Sequence, residues 1–229
     1  MKIAILAAMD KEMALLKNIL NDAENVVIDN IKAFKGRINH HEVLLSKCGI
    51  GKVNAALNTL RIIREFNPDL VINSGVAGGA GGLKIGDLLI AGKVGYHDVW
   101  CGPGTVPGTA DGFDRIFVPY QKTIEIAKKY LGNEDKGGIS YGLIATGDIF
   151  VSKKEEIESI HNVFPEAVAV DMESAAIAHT CASENIPFNI IRVVSDTPGE
   201  AENISQYKNF WSEAPEKTFQ ALEVILPHL

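Results

Sequence analysis

The sequence predicts a three-layer α/β fold, and three observations carry that expectation. Short apolar runs alternate with stretches of helical periodicity almost to the C-terminus. The apolar runs show little polar alternation, as strands buried on both faces do. No repeat, charge block or long linker divides the chain, so residues 1–229 are expected to form one domain.

The elements follow in order. "KIAILAAM" (2–9) reads as a buried first strand, and "KEMALLKNIL" (11–20) as a helix with Leu16, Ile19 and Leu20 on one face. Strand-like pieces follow at 26–29, 33–38 and 43–46. "KVNAALNTLRIIREF" (52–66) is a helix with Val53, Leu57 and Leu60 at helical spacing, stopped by Asn67-Pro68. "DLVIN" (69–73) is a second buried strand running into glycine-rich "SGVAGGAGG". Further strands are expected at 87–94, 141–147, 166–171 and 188–196, with helices near 121–131, 153–161, 173–184 and 205–226.

Composition narrows the function. Hydrophobic residues make up 46% of the chain and charged ones 22%, an ordinary globular balance. The net charge of -7, without a Lys/Arg cluster, argues against a nucleic-acid partner. The three cysteines, Cys48, Cys101 and Cys181, form no C-x-x-C pair, and no signal-peptide pattern is evident. A reducing cytoplasm is expected. The apolar run Ile3 to Met9 is far too short to span a bilayer, so no membrane association is expected.

Ligands of open α/β sheets gather beyond the carboxyl ends of the strands. Acidic groups recur there: Asp10 and Glu12 after the first strand, Asp148 near Phe150, Asp171 and Glu173 after 166–171, and Ser195-Asp196 closing 188–196. Each has a bland reading, since Asp171 suits a helix cap and Glu173 the first helical turn. Together they point to a shared site. Arg192 shares a strand face with Phe188, Ile190 and Val194, and an arginine so placed calls for a partner carboxylate. Glu12 and Glu173 are the candidates.

Other motifs do not hold. "GISYG" (138–142) matches a nucleophile elbow, but a charged turn precedes Ser140 where a strand is required. "CGIGKVNAAL" (48–57) lacks the first glycine and the Ser/Thr of a phosphate loop. The glycines of "GVAGGAGG" lack dinucleotide spacing and are read as allowing close approach to a ligand. The six histidines form no metal-binding pattern, so neither metal nor cofactor is expected.

"KIAILAAMDKEM", "SKCGIGKVNAA", "VINSGVAGG", "YHDVW", "TGDIF", "VDMESAAIAH" and "VVSD" occur in order along the whole chain. In these segments the sequence closely resembles bacterial 5′-methylthioadenosine/S-adenosylhomocysteine nucleosidases. The resemblance implies a purine nucleoside phosphorylase-like α/β/α fold with a central mixed sheet, and hydrolysis of the bond between adenine and a 5′-thio-substituted ribose. It implies Glu12 as the base acting on water and Asp196 as the acid that protonates the purine. Met172 and Glu173 would hold the ribose, and Arg192 would orient the water and the carboxylates. Phe150 and Val151 would frame the adenine. Met9, Ile50, Val76, Ala77, Gly78, Asp171, Ser195 and Tyr207 would complete the binding site, in a homodimer. Val76 stands where serine is usual and Asp171 where glutamate is usual, and "CGPGTVPGTADGF" (101–113) is an atypical loop.

Rival readings are a phosphate-dependent purine nucleoside phosphorylase and a nucleosidase for another adenine nucleoside such as aminodeoxyfutalosine. More distant ones are a non-catalytic nucleoside sensor and an esterase using Ser140. "MDKEM" opposes the first, because its acid would repel phosphate.

Overall fold

The computed structural model describes residues 1–134, 138–210 and 216–229, the side chain of Leu15 excepted. Strands β1 (Lys2–Ala7), β2 (Asn21–Ile28), β3 (Ile31–Ile38), β4 (His41–Lys47) and β5 (Leu70–Gly79) come first, followed by β6 (Leu88–Ile90) and β7 (Lys93–Tyr96). β8 (Ile139–Ser140), β9 (Leu143–Thr146), β10 (Ala167–Asp171) and β11 (Phe188–Asp196) follow. The helices are α1 (Asp10–Leu16), α2 (Lys52–Phe66), α3 (Gln121–Tyr130), α4 (Lys154–Val163), α5 (Ser174–Ser183), α6 (Asn203–Phe210) and α7 (Glu216–Ile225).

The described strands form one mixed sheet in the order β2-β3-β4-β1-β5-β10-β9-β7, with β11 paired to β5 and to β6, and β8 to β6. β1 shows why three layers form. Its Ala4 and Leu6 join a core with α2 and α5, while Ile3 and Ile5 join a second core with α7. A strand whose successive side chains are all apolar must be covered on both faces.

Direction within the sheet positions the site. β1, β4, β5 and β11 run parallel to one another, and so do β7, β9 and β10. The two sets meet antiparallel at the end of β5, where Gly78 faces Val170. Both sets therefore deliver their carboxyl ends to one cleft.

Several expectations are corrected. The glycine-rich segment after residue 73 continues as strand to Gly79. The glycine at 75 is required by a carboxylate: a Cβ there would lie 2.6 Å from Oε1 of Glu12. The strand expected over 87–94 is two, because at Gly92 the chain passes so close to the Tyr141 carbonyl that a Cβ would lie 2.3 Å from it. The strand expected over 141–147 is the shorter β9, and β8 precedes it as a separate strand. The helix expected over 205–226 is α6 and α7, and residues 211–215 lie outside the described residues. Helix α2 has the expected bounds but buries Ala55, Thr59, Ile62, Ile63 and Phe66. Val53 and Leu57 instead face outward, 68% and 50% exposed.

Candidate active site

A cavity of about 240 Å³ opens where the opposed strands converge. Its wall takes Ala8, Met9 and Glu12 from the end of β1 and α1, and Val76, Ala77 and Gly78 from β5. Ile149, Phe150 and Val151 come from the segment after β9. Val170, Asp171, Met172 and Glu173 come from the end of β10, Ser195 and Asp196 from β11, and Tyr207 from α6, with Ile50 at the rim. Every residue expected at the site lies here except Arg192, which sits behind the wall. Ala8, Ile149 and Val170 were missed; as unremarkable apolar residues they carry no signal in sequence. Asp10 and Asp148, grouped with the acids by their strand-end positions, are not part of the lining. Asp10 pairs with Lys47 at the surface, and Asp148 accepts from the Lys52 N–H at the start of α2 (2.7 Å). Ser140 lies on β8, where its hydroxyl donates to Glu134 (3.3 Å).

Beneath the cavity Arg192 is 2% exposed. Its partner is Asp171, and neither Glu12 nor Glu173 forms an ion pair with it. Nη2 donates to Asp171 Oδ2 at 2.8 Å and to Ser174 Oγ at 2.9 Å, and also to Asn73 Oδ1. Nη1 donates to the Asn73 carbonyl at 3.2 Å. Asp171 further accepts from the Thr146 hydroxyl (2.6 Å) and the Ser174 hydroxyl (2.5 Å). The Ser174 N–H also donates to it (3.1 Å), although the cap position of α5 is Glu173 and not Asp171. A buried ion pair survives desolvation only with such added hydrogen bonds. Asp171 thus lines the cavity while its carboxyl is engaged by the protein behind the wall. Aspartate's shorter reach, in place of the usual glutamate, suits this inward engagement.

The other acids are differently placed. Glu12 Oε2 accepts from the N–H groups of Ala8 (2.8 Å) and Met9 (3.0 Å), and Oε1 approaches Gly75. Burial raises its pKa, while the Arg192 charge opposes the shift. Burial raises Glu173 to about 7, helped by the charge of Asp171, though the Gly51 N–H donates to Oε1 at 2.9 Å. Burial also raises Asp196, against the hydrogen bonds from Ser195 (Oγ to Oδ1, 2.5 Å) and from Asn203. The register of β11 against β5 slips between Val194 and Asp196, a bulge that re-aims Asp196. Among the described residues, none that lines the cavity is basic.

At the mouth, Tyr207 meets Phe150 edge to face, 5.3 Å between ring centres, and its hydroxyl lies 3.6 Å from the Met9 sulfur. These groups form an apolar corner beside the acids, suited to a flat heterocycle and an apolar substituent.

Comparison with known proteins agrees with this geometry. The model of the phosphorylase superfamily matches residues 2–227. The 5′-methylthioadenosine/S-adenosylhomocysteine nucleosidase of Geobacillus thermodenitrificans is 41% identical over 207 residues, 90% of this chain and 88% of that protein. The crystal structure of S-adenosylhomocysteine nucleosidase from Streptococcus pyogenes in complex with 5-methylthiotubericidin superposes with a TM-score of 0.94 at 34% identity, covering 100% of this chain and 97% of that one. Futalosine hydrolase of Helicobacter pylori superposes with a TM-score of 0.91 at 29% identity, covering 100% and 98%. The chain belongs to the phosphorylase superfamily and, within it, to the 5′-methylthioadenosine/S-adenosylhomocysteine nucleosidases.

Proposed function

We propose that this protein hydrolyses the N-glycosidic bond of 5′-methylthioadenosine, S-adenosylhomocysteine or both, releasing adenine and the thio-ribose. The observation that carries the reading is a cavity lined by Glu12, Glu173 and Asp196 and, among the described residues, by no basic side chain. Carboxylates stabilise an oxocarbenium-like transition state, whereas a phosphate dianion would be repelled. Water is thus favoured over phosphate as the nucleophile.

Glu12 takes a proton from water, whose oxygen bonds to the anomeric carbon as the carbon–nitrogen bond breaks. The departing electron pair goes to the purine, which Asp196 protonates. Both acids have raised pKa values, but only Glu12 feels the Arg192 cation, which favours its ionised form. Burial raises the Asp196 carboxyl with only the neutral donors Ser195 and Asn203 opposing it, the direction a proton donor needs. Glu173 and Met172 hold the ribose, Phe150 and Val151 frame the adenine, and Arg192 orients the carboxylates through Asp171. Met9, Ile50 and Tyr207 face the 5′-substituent.

The same reading takes residues 1–229 as one nucleosidase domain acting in the cytoplasm as a homodimer. Ile50, Val53, Leu57, Trp100 and Val106 are exposed apolar residues, and we take them as the surface that a second copy would cover. Because Ile50 also lines the cavity, a partner seated there would close its mouth. Sedimentation should show a dimer, and Leu57→Asp should yield a monomer with raised KM; a wild-type monomer at working concentration would refute the assembly.

The test of the activity is incubation of pure protein with 5′-methylthioadenosine, S-adenosylhomocysteine, futalosine, adenosine and inosine, with and without phosphate. Free adenine and free thio-ribose are expected without phosphate. A sugar 1-phosphate formed only with phosphate would overturn the reading, and turnover of futalosine alone would move the substrate.

A further inference from the structure

Asn203, the first residue of α6, is 2% exposed and points at Asp196. Its Nδ2–H donates to Asp196 Oδ2, opposite the Ser195 hydroxyl on Oδ1. Its Oδ1 is also buried and has no hydrogen-bond partner among the described residues. An amide oxygen left in that state costs about 1–3 kcal/mol, and such orphans in a fold call for an explanation. Capping does not supply one, because Oδ1, the atom that would accept from a helix N–H, has no partner among the described residues. The helix is pinned independently: the Thr197 N–H donates to Gln206 Oε1 at 2.9 Å, and Gln206 Nε2 donates to Glu200 at 2.8 Å.

A proton donor passes through two states with opposite hydrogen-bonding needs. Ionised, a carboxylate only accepts; protonated, it also donates an O–H. A side-chain amide offers a donor on one arm and an acceptor on the other, and a half-turn about its last bond exchanges them. Ser195 can follow the same change, because its hydroxyl lies 3.3 Å from the Ala77 carbonyl as well as beside Asp196. We infer that Asn203 is a positioning residue for Asp196, holding the carboxyl on the purine by donating to it when ionised and, with the amide turned over, accepting from it when protonated. The inference rests on the reading of Asp196 as the proton donor. The proton itself travels only from Asp196 to the purine; the amide exchanges hydrogen bonds and no atoms. The other titratable groups on the cavity are Glu12 on α1, Asp171 at the end of β10, paired with Arg192 behind the wall, Glu173 at the start of α5, and Tyr207 on α6 itself.

The test compares Asn203→Ala and Asn203→Asp with wild type on 5′-methylthioadenosine and on the corresponding thio-riboside of 4-nitrophenol, whose leaving group needs no proton. Asn203→Ala should lower kcat on the nucleoside by up to about 10²-fold, the scale for a misplaced reacting group, with KM changed by less than about threefold. Its rate on the nitrophenyl substrate should stay within about threefold of wild type. In Asn203→Asp a second carboxyl raises the pKa of the pair, so the alkaline limb of kcat should move to higher pH. Equal losses on both substrates, or no loss on the nucleoside, would overturn the inference. Should Asn203→Ala not fold, an unmoved alkaline limb in Asn203→Asp overturns it alone. Failure of the wild type to release adenine would instead defeat the proposed activity, so the two failures are distinguishable.

Discussion

Four acids line one cavity, and Asp171 is treated in the opposite way to the other three. Asp171 is saturated by Arg192, Thr146 and Ser174, and its charge is cancelled. Glu12, Glu173 and Asp196 each have fewer donors, and burial pushes all three upward. The contrast teaches how chemistry and architecture divide. A carboxyl that the protein satisfies completely is part of the scaffold. One left short of partners is available to a ligand, and its proton affinity lies nearer the working pH.

The largest effects should fall on the unsatisfied group. Asp196→Asn and Glu12→Gln should each lower kcat by about 10²-fold or more while leaving the affinity for adenine nearly unchanged, measured by turnover and calorimetry. A binding loss matching the turnover loss would place these residues in the scaffold and erase the contrast. The saturated group should answer in stability. Arg192→Met leaves Asp171 buried and unpaired and should cost about 3–5 kcal/mol in denaturant unfolding, much of it regained in Asp171→Asn/Arg192→Met. Equal losses in the single and double variants would show that the pair does not act as a unit.

Glu173 sharpens the comparison through pH. Its folded pKa of about 7 lies above the ordinary value of 4.5, so between these limits the folded state holds more protons than the unfolded one. Stability from this group therefore falls as pH rises through that window, and Glu173→Gln should melt higher than wild type at pH 8 by about 2–4 °C per kcal/mol relieved. The ribose hydroxyls require the ionised form, so kcat/KM should rise towards a limb near 7 in the free enzyme. The smallest effect is expected at Val76, where Val76→Ser restores a hydroxyl to the cavity wall and should change kcat/KM by less than about tenfold. A larger gain would make this position a determinant of rate.

Much of this was legible from residues alone, and what was not has physical causes. Helix α2 and strand β11 have the expected bounds because Asn67-Pro68 ends one and a largely apolar run, interrupted by Asn189 and Arg192, defines the other. The polar part of the cavity wall was legible because its acids recur at several strand ends, more often than separate capping duties would require. Arg192 was visibly anomalous, but its partner could not be read. Asp171 and Glu173 are two residues apart, and only the fold decides which turns inward. Asn203, Ser174, Thr146 and Asn73 escaped notice because small polar residues are common in turns and helix starts, and burial alone sets them apart. The helical spacing of Val53, Leu57 and Leu60 marked an apolar stripe on α2 without saying what covers it, and Val53 and Leu57 face outward.

The meeting of two opposed strand sets at Gly78 and Val170 has a consequence for how the enzyme comes into being. Glu12, Glu173 and Asp196 reach the cavity from distant points of the chain, and no supersecondary unit holds all three. Helices can form early from local contacts, but long-range pairings wait for loop closure. Activity should therefore be among the last properties recovered on refolding, after the helical signal has returned. A chain arrested with only one strand set assembled would have much of its secondary structure and no catalysis.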